Sequence, residues 1–182
     1  MAKRPVKARG EPPRVTAEDW QAHAYHIHET VGKKWEAYSP EDRRYNVLSL
    51  AGEAGEVLNL IKKDWRGDPG NRWSDLLFEF ADCRIYLELL VKCYDMTFGP
   101  FDHRHFDGLL RTDDEKYKAG LYLSKVTGDI CEDMLFEWNV QGNVKDYGIR
   151  HRIKNVQEAI ERLAWLYAAD LDLACATKVR TL

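Results

Sequence analysis

The chain is predicted to be an all-α helical bundle. Three observations lead there. Apolar residues recur at helical spacing, helix start and stop residues punctuate the chain at regular distances, and strand-forming runs are weak. With 182 residues, 45% of them hydrophobic, there is enough chain for one domain with a true core.

The elements follow in order. The segment from Met1 to Arg14 carries Lys3, Arg4, Lys7, Arg9 and Arg14 among Pro5, Pro12 and Pro13, and reads as a disordered basic tail covering 1–15. A single helical domain is expected over 16–182. Its first helix starts at Thr16, which can cap, with Glu18 and Asp19 favoured by the dipole in the first turn. It ends before Gly32. Ser39-Pro40-Glu41-Asp42 opens a second helix, which Arg66-Gly67-Asp68-Pro69-Gly70 breaks after Trp65. A third spans Ser74–Cys93. Phe98-Gly99-Pro100-Phe101 then divides a core (16–98) from additional helices (99–182), expected at Lys118–Trp138, Arg150–Ala169 and Leu171–Val179. The later half reads as a divergent copy of the earlier one. Leu121-Tyr122-Leu123-Ser124 and Gly128-Asp129-Ile130 align with Leu48-Ser49-Leu50-Ala51 and Gly55-Glu56-Val57, and Glu158–Glu161 with Glu79–Asp82; chance helical similarity accounts for this about as well.

Several function classes fall away. No apolar run reaches the roughly 18 residues of a membrane span, and no signal peptide is visible at the N-terminus. Cys83, Cys93, Cys131 and Cys175 are scattered without a C-x-x-C pair, which fits a reducing cytoplasm better than a disulfide framework or zinc ribbon. A net charge of −3 argues against a general nucleic-acid binder and leaves only the basic tail for such a contact. His23 and His26 lack a third ligand at suitable spacing, and no Glu-x-x-His pair exists for a di-iron bundle.

The chemistry lies in two carboxylate pairs at i, i+3: Glu53-x-x-Glu56 on the second helix and Glu79-x-x-Asp82 on the third. Residues three apart share a helix face, so each pair can converge on one point. The apolar stripe of the second helix reads as Val47, Leu50, Ala51, Ala54, Leu58 and Ile61, with Gly52 and Gly55 flanking the acids to allow close approach of a ligand or helix. The third helix is apolar almost all round, yet holds Glu79 and Asp82 on the side of Tyr86, while Arg84 projects elsewhere. Carboxylates crowded in such surroundings repel one another and take up protons unless a cation compensates them. Hard oxygen ligands without His or Cys point to Mg²⁺, with Mn²⁺ as substitute.

These residues resemble the MazG-like nucleoside triphosphate pyrophosphohydrolases. Leu50-Ala51-Gly52-Glu53-Ala54-Gly55-Glu56-Val57 with Ile61-Lys62-Lys63 is similar to the family's first motif. Glu79-Phe80-Ala81-Asp82 with Ile85-Tyr86-Leu87 is similar to its second. The family pattern is E-E-x-x-E followed by E-x-x-D, and Gly52 replaces the first acid here. Asp19-Trp20-Gln21 is similar to the opening of the family's first helix. The resemblance covers roughly Thr16 to Phe98. The family's later Asn and Lys have no clear match, although Ala174–Thr181, with Lys178 and Arg180, can stand in for them.

The resemblance implies Mg²⁺ held by Glu53, Glu56, Glu79 and Asp82, with the same acids catalytic. Water activated by the metal would attack the α-phosphorus of a (deoxy)nucleoside triphosphate, releasing monophosphate and pyrophosphate. Lys63 or Lys62 would attend the leaving group, and Tyr86 and Trp20 would contact the nucleotide. It also implies a homodimer or higher homo-oligomer. Two alternatives stand beside it: a phosphoribosyl-ATP pyrophosphohydrolase-like enzyme, and a non-catalytic nucleotide-binding or regulatory module of the same fold.

Overall fold

The computed structural model describes residues 40–70, 72–97, 101, 103–140 and 147–181. The basic tail, the helix expected from Thr16, Trp20 and the histidines beside it lie outside these residues. The described residues form α1 (Pro40–Trp65), α2 (Arg72–Cys93), a 3-10 turn (His103–Phe106), α3 (Asp113–Val140), α4 (Tyr147–Leu166) and α5 (Leu171–Thr181), with no strand among them. The architecture is an all-α bundle. No described helix is long and apolar enough to cross a membrane.

The helix ends have local causes. Pro40 stands first in α1, where a missing N–H costs nothing. Gly67, at φ 68°, closes α1: Asp68 N donates to Lys63 O at 3.1 Å and Gly67 N to Asp64 O at 3.0 Å. α2 and α4 end in the same double hydrogen bond, but with Asp95 (φ 49°) and Ala168 (φ 52°) in the left-handed position. α3 begins five residues before the expected Lys118. Thr112 Oγ1 accepts from Glu115 N at 3.3 Å, and Asp113, Asp114 and Glu115 fill the first turn. Asp170 caps α5 through Leu173 N at 2.9 Å.

Contacts at both ends set the helix directions. Asn46 donates to Cys93 Sγ at 3.4 Å, so the start of α1 meets the end of α2. Trp65 stacks on Tyr117 at 4.3 Å and Tyr94 Oη lies 3.3 Å from Glu137, so α3 also runs against α1. Trp73 Nε1 donates to Tyr167 O at 3.2 Å and Arg150 to Tyr94 O at 2.9 Å, which pairs α4 antiparallel with α2. Arg162 meets Glu115 at 2.8 Å across α3 and α4. The order around the bundle is therefore α1, α2, α4, α3, and α5 packs on α2. Because α2 and α3 run the same way, their connection travels the length of the bundle. Its 3-10 turn seats Phe106 against Trp165, 6.0 Å between ring centroids.

The core of α1 is Val47, Leu50, Ala54, Val57, Leu60 and Ile61. The expected Ala51 and Leu58 are only half-buried, replaced by Val57 and Leu60. α3 approaches so closely that a Cβ on Gly120 would stand 3.2 Å from Ile61 Cδ1. Gly52 and Gly55 instead face open space, so neither is there to admit a described helix. α2 is apolar nearly all round because α1, α4 and α5 surround it.

The two helix pairs keep corresponding burial at the aligned positions. Leu48 and Leu121 are exposed, Leu50 and Leu123 buried, Val57 and Ile130 buried, and Phe80 and Ala159 buried. The acids do not follow. Asp129 pairs with Lys125 and Arg152, Glu158 is exposed, and Glu161 is buried against Arg84.

Candidate metal centre

Glu53 enters the site from α1, and Glu79 and Asp82 enter from the facing side of α2. The three are half-buried, and one oxygen from each lies within 4.8 Å of the others. It is the antiparallel packing of two consecutive helices that brings them together. The i, i+3 spacing puts Glu79 and Asp82 on one face, and the α1–α2 contact carries Glu53 to it.

Glu53 shows the consequence. Its carboxyl is pushed from an ordinary 4.5 up to about 7 by burial, then by the charges of Asp82 and Glu79, with a hydrogen bond to Glu79 adding to the effect. Glu79 is raised as well, first by burial, then by Asp82, with Glu56 contributing from farther along α1. Among the described residues the acids thus hold more negative charge than is neutralised, although Lys178 of α5 stands at their edge. Its Nζ lies 2.5 Å from Asp82 Oδ2 and 5.5 Å from the centre of the Phe78 ring. Its charge lowers both Glu53 and Glu79.

The donor set fits a hard divalent cation. Three carboxylate oxygens within 4.8 Å of one another are the hard donors that Mg²⁺ or Mn²⁺ prefers. Among the described residues the converging group offers oxygen alone, which disfavours zinc and copper.

The other sequence-predicted residues fall as follows. Glu56 stands one turn beyond Glu53, exposed and outside the converging trio. Lys62 and Lys63 lie in the last turn of α1, where their carbonyls receive Arg66 N and Asp68 N. Lys63 acts electrostatically on Asp68. Tyr86 borders the site. It hydrogen-bonds Tyr45 and Ser49 and feels the charge of Glu53, and burial first, then Tyr45, pushes its phenol up to about 12. Trp65 and Trp73 are engaged with Tyr117 and Tyr167 at the opposite end of α2 from Cys93.

The back of α2 carries a second charged group that sequence reasoning missed. Arg84, two residues and about 200° around the helix from Asp82, is buried with Glu88 at 2.7 Å and with Glu161 of α4. The i, i+4 spacing of Arg84 and Glu88 in an apolar helix was the available clue.

Protein-family models, curated proteins and solved structures were compared with the chain, and none matches it.

Proposed function

We propose that this protein is a Mg²⁺-dependent pyrophosphohydrolase of nucleoside triphosphates, releasing the monophosphate and pyrophosphate. One observation supports the reading above all: Glu53, Glu79 and Asp82, from two helices, present oxygens within 4.8 Å of one another. The similarity of Glu53–Glu56 and Glu79–Asp82 to the MazG-like motifs gives the reaction class.

Glu53, Glu79 and Asp82 would hold the ion. When bound, it supplies Lewis acidity at the phosphoryl oxygens and lowers the pKa of water. Glu56 stays outside the trio, one turn along the same helix, and takes the proton of the attacking water. A carboxylate not spent on the ion has its lone pairs open to accept that proton. Lys178, rather than Lys62 or Lys63, is the described cation that meets the acids, and once the ion takes Asp82 its ammonium would turn to the departing pyrophosphate. Tyr86, fixed by Tyr45 and Ser49, walls the site next to Glu53. The same reading expects a homodimer or higher homo-oligomer, for which exposed Leu48, Leu121, Leu135 and Phe136 offer apolar surface.

The test is a panel of ribo- and deoxyribonucleoside triphosphates incubated with Mg²⁺, with products separated by chromatography. Monophosphate and pyrophosphate in equal amounts are expected. Glu79→Gln should abolish turnover and keep the helical circular dichroism. Orthophosphate as the product refutes the assigned bond cleavage. Full activity in Glu79→Gln removes α2 from the mechanism.

A further inference from the structure

We infer that Lys178 is a built-in counter-ion of the acid site, which a divalent ion must displace, so that loading the site frees the Lys178 ammonium from Asp82. The inference rests on the metal-site reading above.

Lys178 comes from 96 positions beyond Asp82, on a helix that packs against α2. α5 is anchored elsewhere. Asp170 caps its start, Leu171, Ala174 and Cys175 are buried against the bundle, and Cys175 Sγ reaches Ala81 O at 3.9 Å. Beyond these anchors, Lys178 extends over Phe78 and ends 2.5 Å from Asp82 Oδ2. Its side chain is 24% exposed and that of Asp82 18%, so the pair is partly withdrawn from water and not a loose surface contact.

The same carboxylate cannot serve both cations fully. An ammonium at 2.5 Å occupies one oxygen of Asp82, a member of the trio that would hold the ion. A divalent ion drawing Asp82 toward Glu53 and Glu79 places two positive charges beside the ammonium. Like charges that close repel, and the ammonium has a flexible four-carbon stem by which to leave. The anchors up to Cys175 would hold α5 in place while Lys178 leaves Asp82. Lys178 thus offsets part of the negative charge of the metal-free site, and the accessibility of its ammonium reports metal occupancy.

The experiment uses the full chain without nucleotide and Mn²⁺ as probe. Lysine acetylation by acetic anhydride, read by mass spectrometry, is followed across a Mn²⁺ titration. Lys178 should gain reactivity several-fold as Mn²⁺ saturates, with Lys62 and Lys125 as internal references that do not change. Mn²⁺ affinity measured by electron paramagnetic resonance should rise up to about fivefold in Lys178→Met, the range expected for a partly screened ion pair, and stay near wild type in Lys178→Arg. Lys178→Gln replaces the methionine variant if that one does not fold. Removing a merely nearby charge would also raise affinity, but would not make Lys178 more reactive in the wild type. Saturable Mn²⁺ binding with unchanged Lys178 reactivity overturns the displacement and leaves the metal site standing. No saturable binding by wild type overturns both.

Discussion

One carboxyl oxygen of Glu53 on α1 lies within 4.8 Å of one of Glu79 on α2. Burial, then the charges of Asp82 and Glu79, raise the Glu53 carboxyl, so it holds a proton more readily than an ordinary glutamate.

That proton sets a pH dependence. The Glu53 carboxyl is raised from 4.5 to about 7, so between these values the folded chain holds its proton more tightly than the unfolded chain does. The stability it contributes is fully present below about 4.5 and is lost as pH rises through about 7. With chelator present, the Glu53→Gln variant should lose less stability than wild type between pH 5 and pH 8 in calorimetry. Because metal binding replaces the proton, Mg²⁺ should raise the wild-type melting temperature more at pH 8 than at pH 5. An equal Mg²⁺ effect at both values contradicts the assignment.

Arg84 holds two buried carboxylates, Glu88 and Glu161, which are 1% and 5% exposed. Its own charge is favoured by these partners against burial. Arg84→Met should cost about 3–5 kcal/mol in urea unfolding, since it strands negative charge in the core. A loss below about 1 kcal/mol would mean that Glu88 and Glu161 are satisfied without it. Mn²⁺ affinity should change little in any fraction that folds, because the group lies on the other side of α2.

Ala168 carries a left-handed φ of 52° where α4 ends. Glycine adopts that conformation without a Cβ penalty, so Ala168→Gly should stabilise by about 0.5–1 kcal/mol. Asp95→Gly, at φ 49°, should act in the same direction at the end of α2. Differential scanning calorimetry decides both, and a lowered melting temperature would be the contrary result.

Gly52 and Gly120 are both helical glycines with opposite surroundings. A Cβ on Gly52 meets nothing within 4 Å, so Gly52→Ala should gain about 1 kcal/mol of helix propensity. Gly120 lies against Ile61 and Leu58 of α1, so Gly120→Val should cost about 1–3 kcal/mol by overpacking. Thermal melts of the two variants should move apart. If Gly52→Ala is stable but loses nucleotide binding, the open face of α1 is where the ligand approaches.

Much of the fold was legible because its causes are local. The expected ends of α1 and α2 fall within two residues of the observed ones, since Pro40, Gly67 and the apolar periodicity act within a few residues. α4 was expected to reach Ala169 but stops at Leu166, because an alanine in the left-handed position carries no mark in the sequence. Thr112-Asp113-Asp114-Glu115 marks the start of α3 in capping residues and first-turn acids, ahead of the apolar pattern that begins later in the helix. Of the four acids read as one set, three converge and Glu56 stays outside, because a fixed i, i+3 spacing says nothing of how far the neighbouring helix reaches along α1.

The amino-acid sequence by itself determined that this chain is helical, that Glu79 and Asp82 share one face of an apolar helix, and that Glu53 lies on the helix before it. Periodicity and capping are short-range, and they leave no other reading of those positions. Only the tertiary structure decided that Glu53 closes on the pair, that Lys178 rather than Lys63 attends it, and that Arg84 turns away to Glu161. Those choices depend on which helices become neighbours. That is settled by how α2 packs against α1, α4 and α5 at once, a property of the assembled bundle and of no single segment.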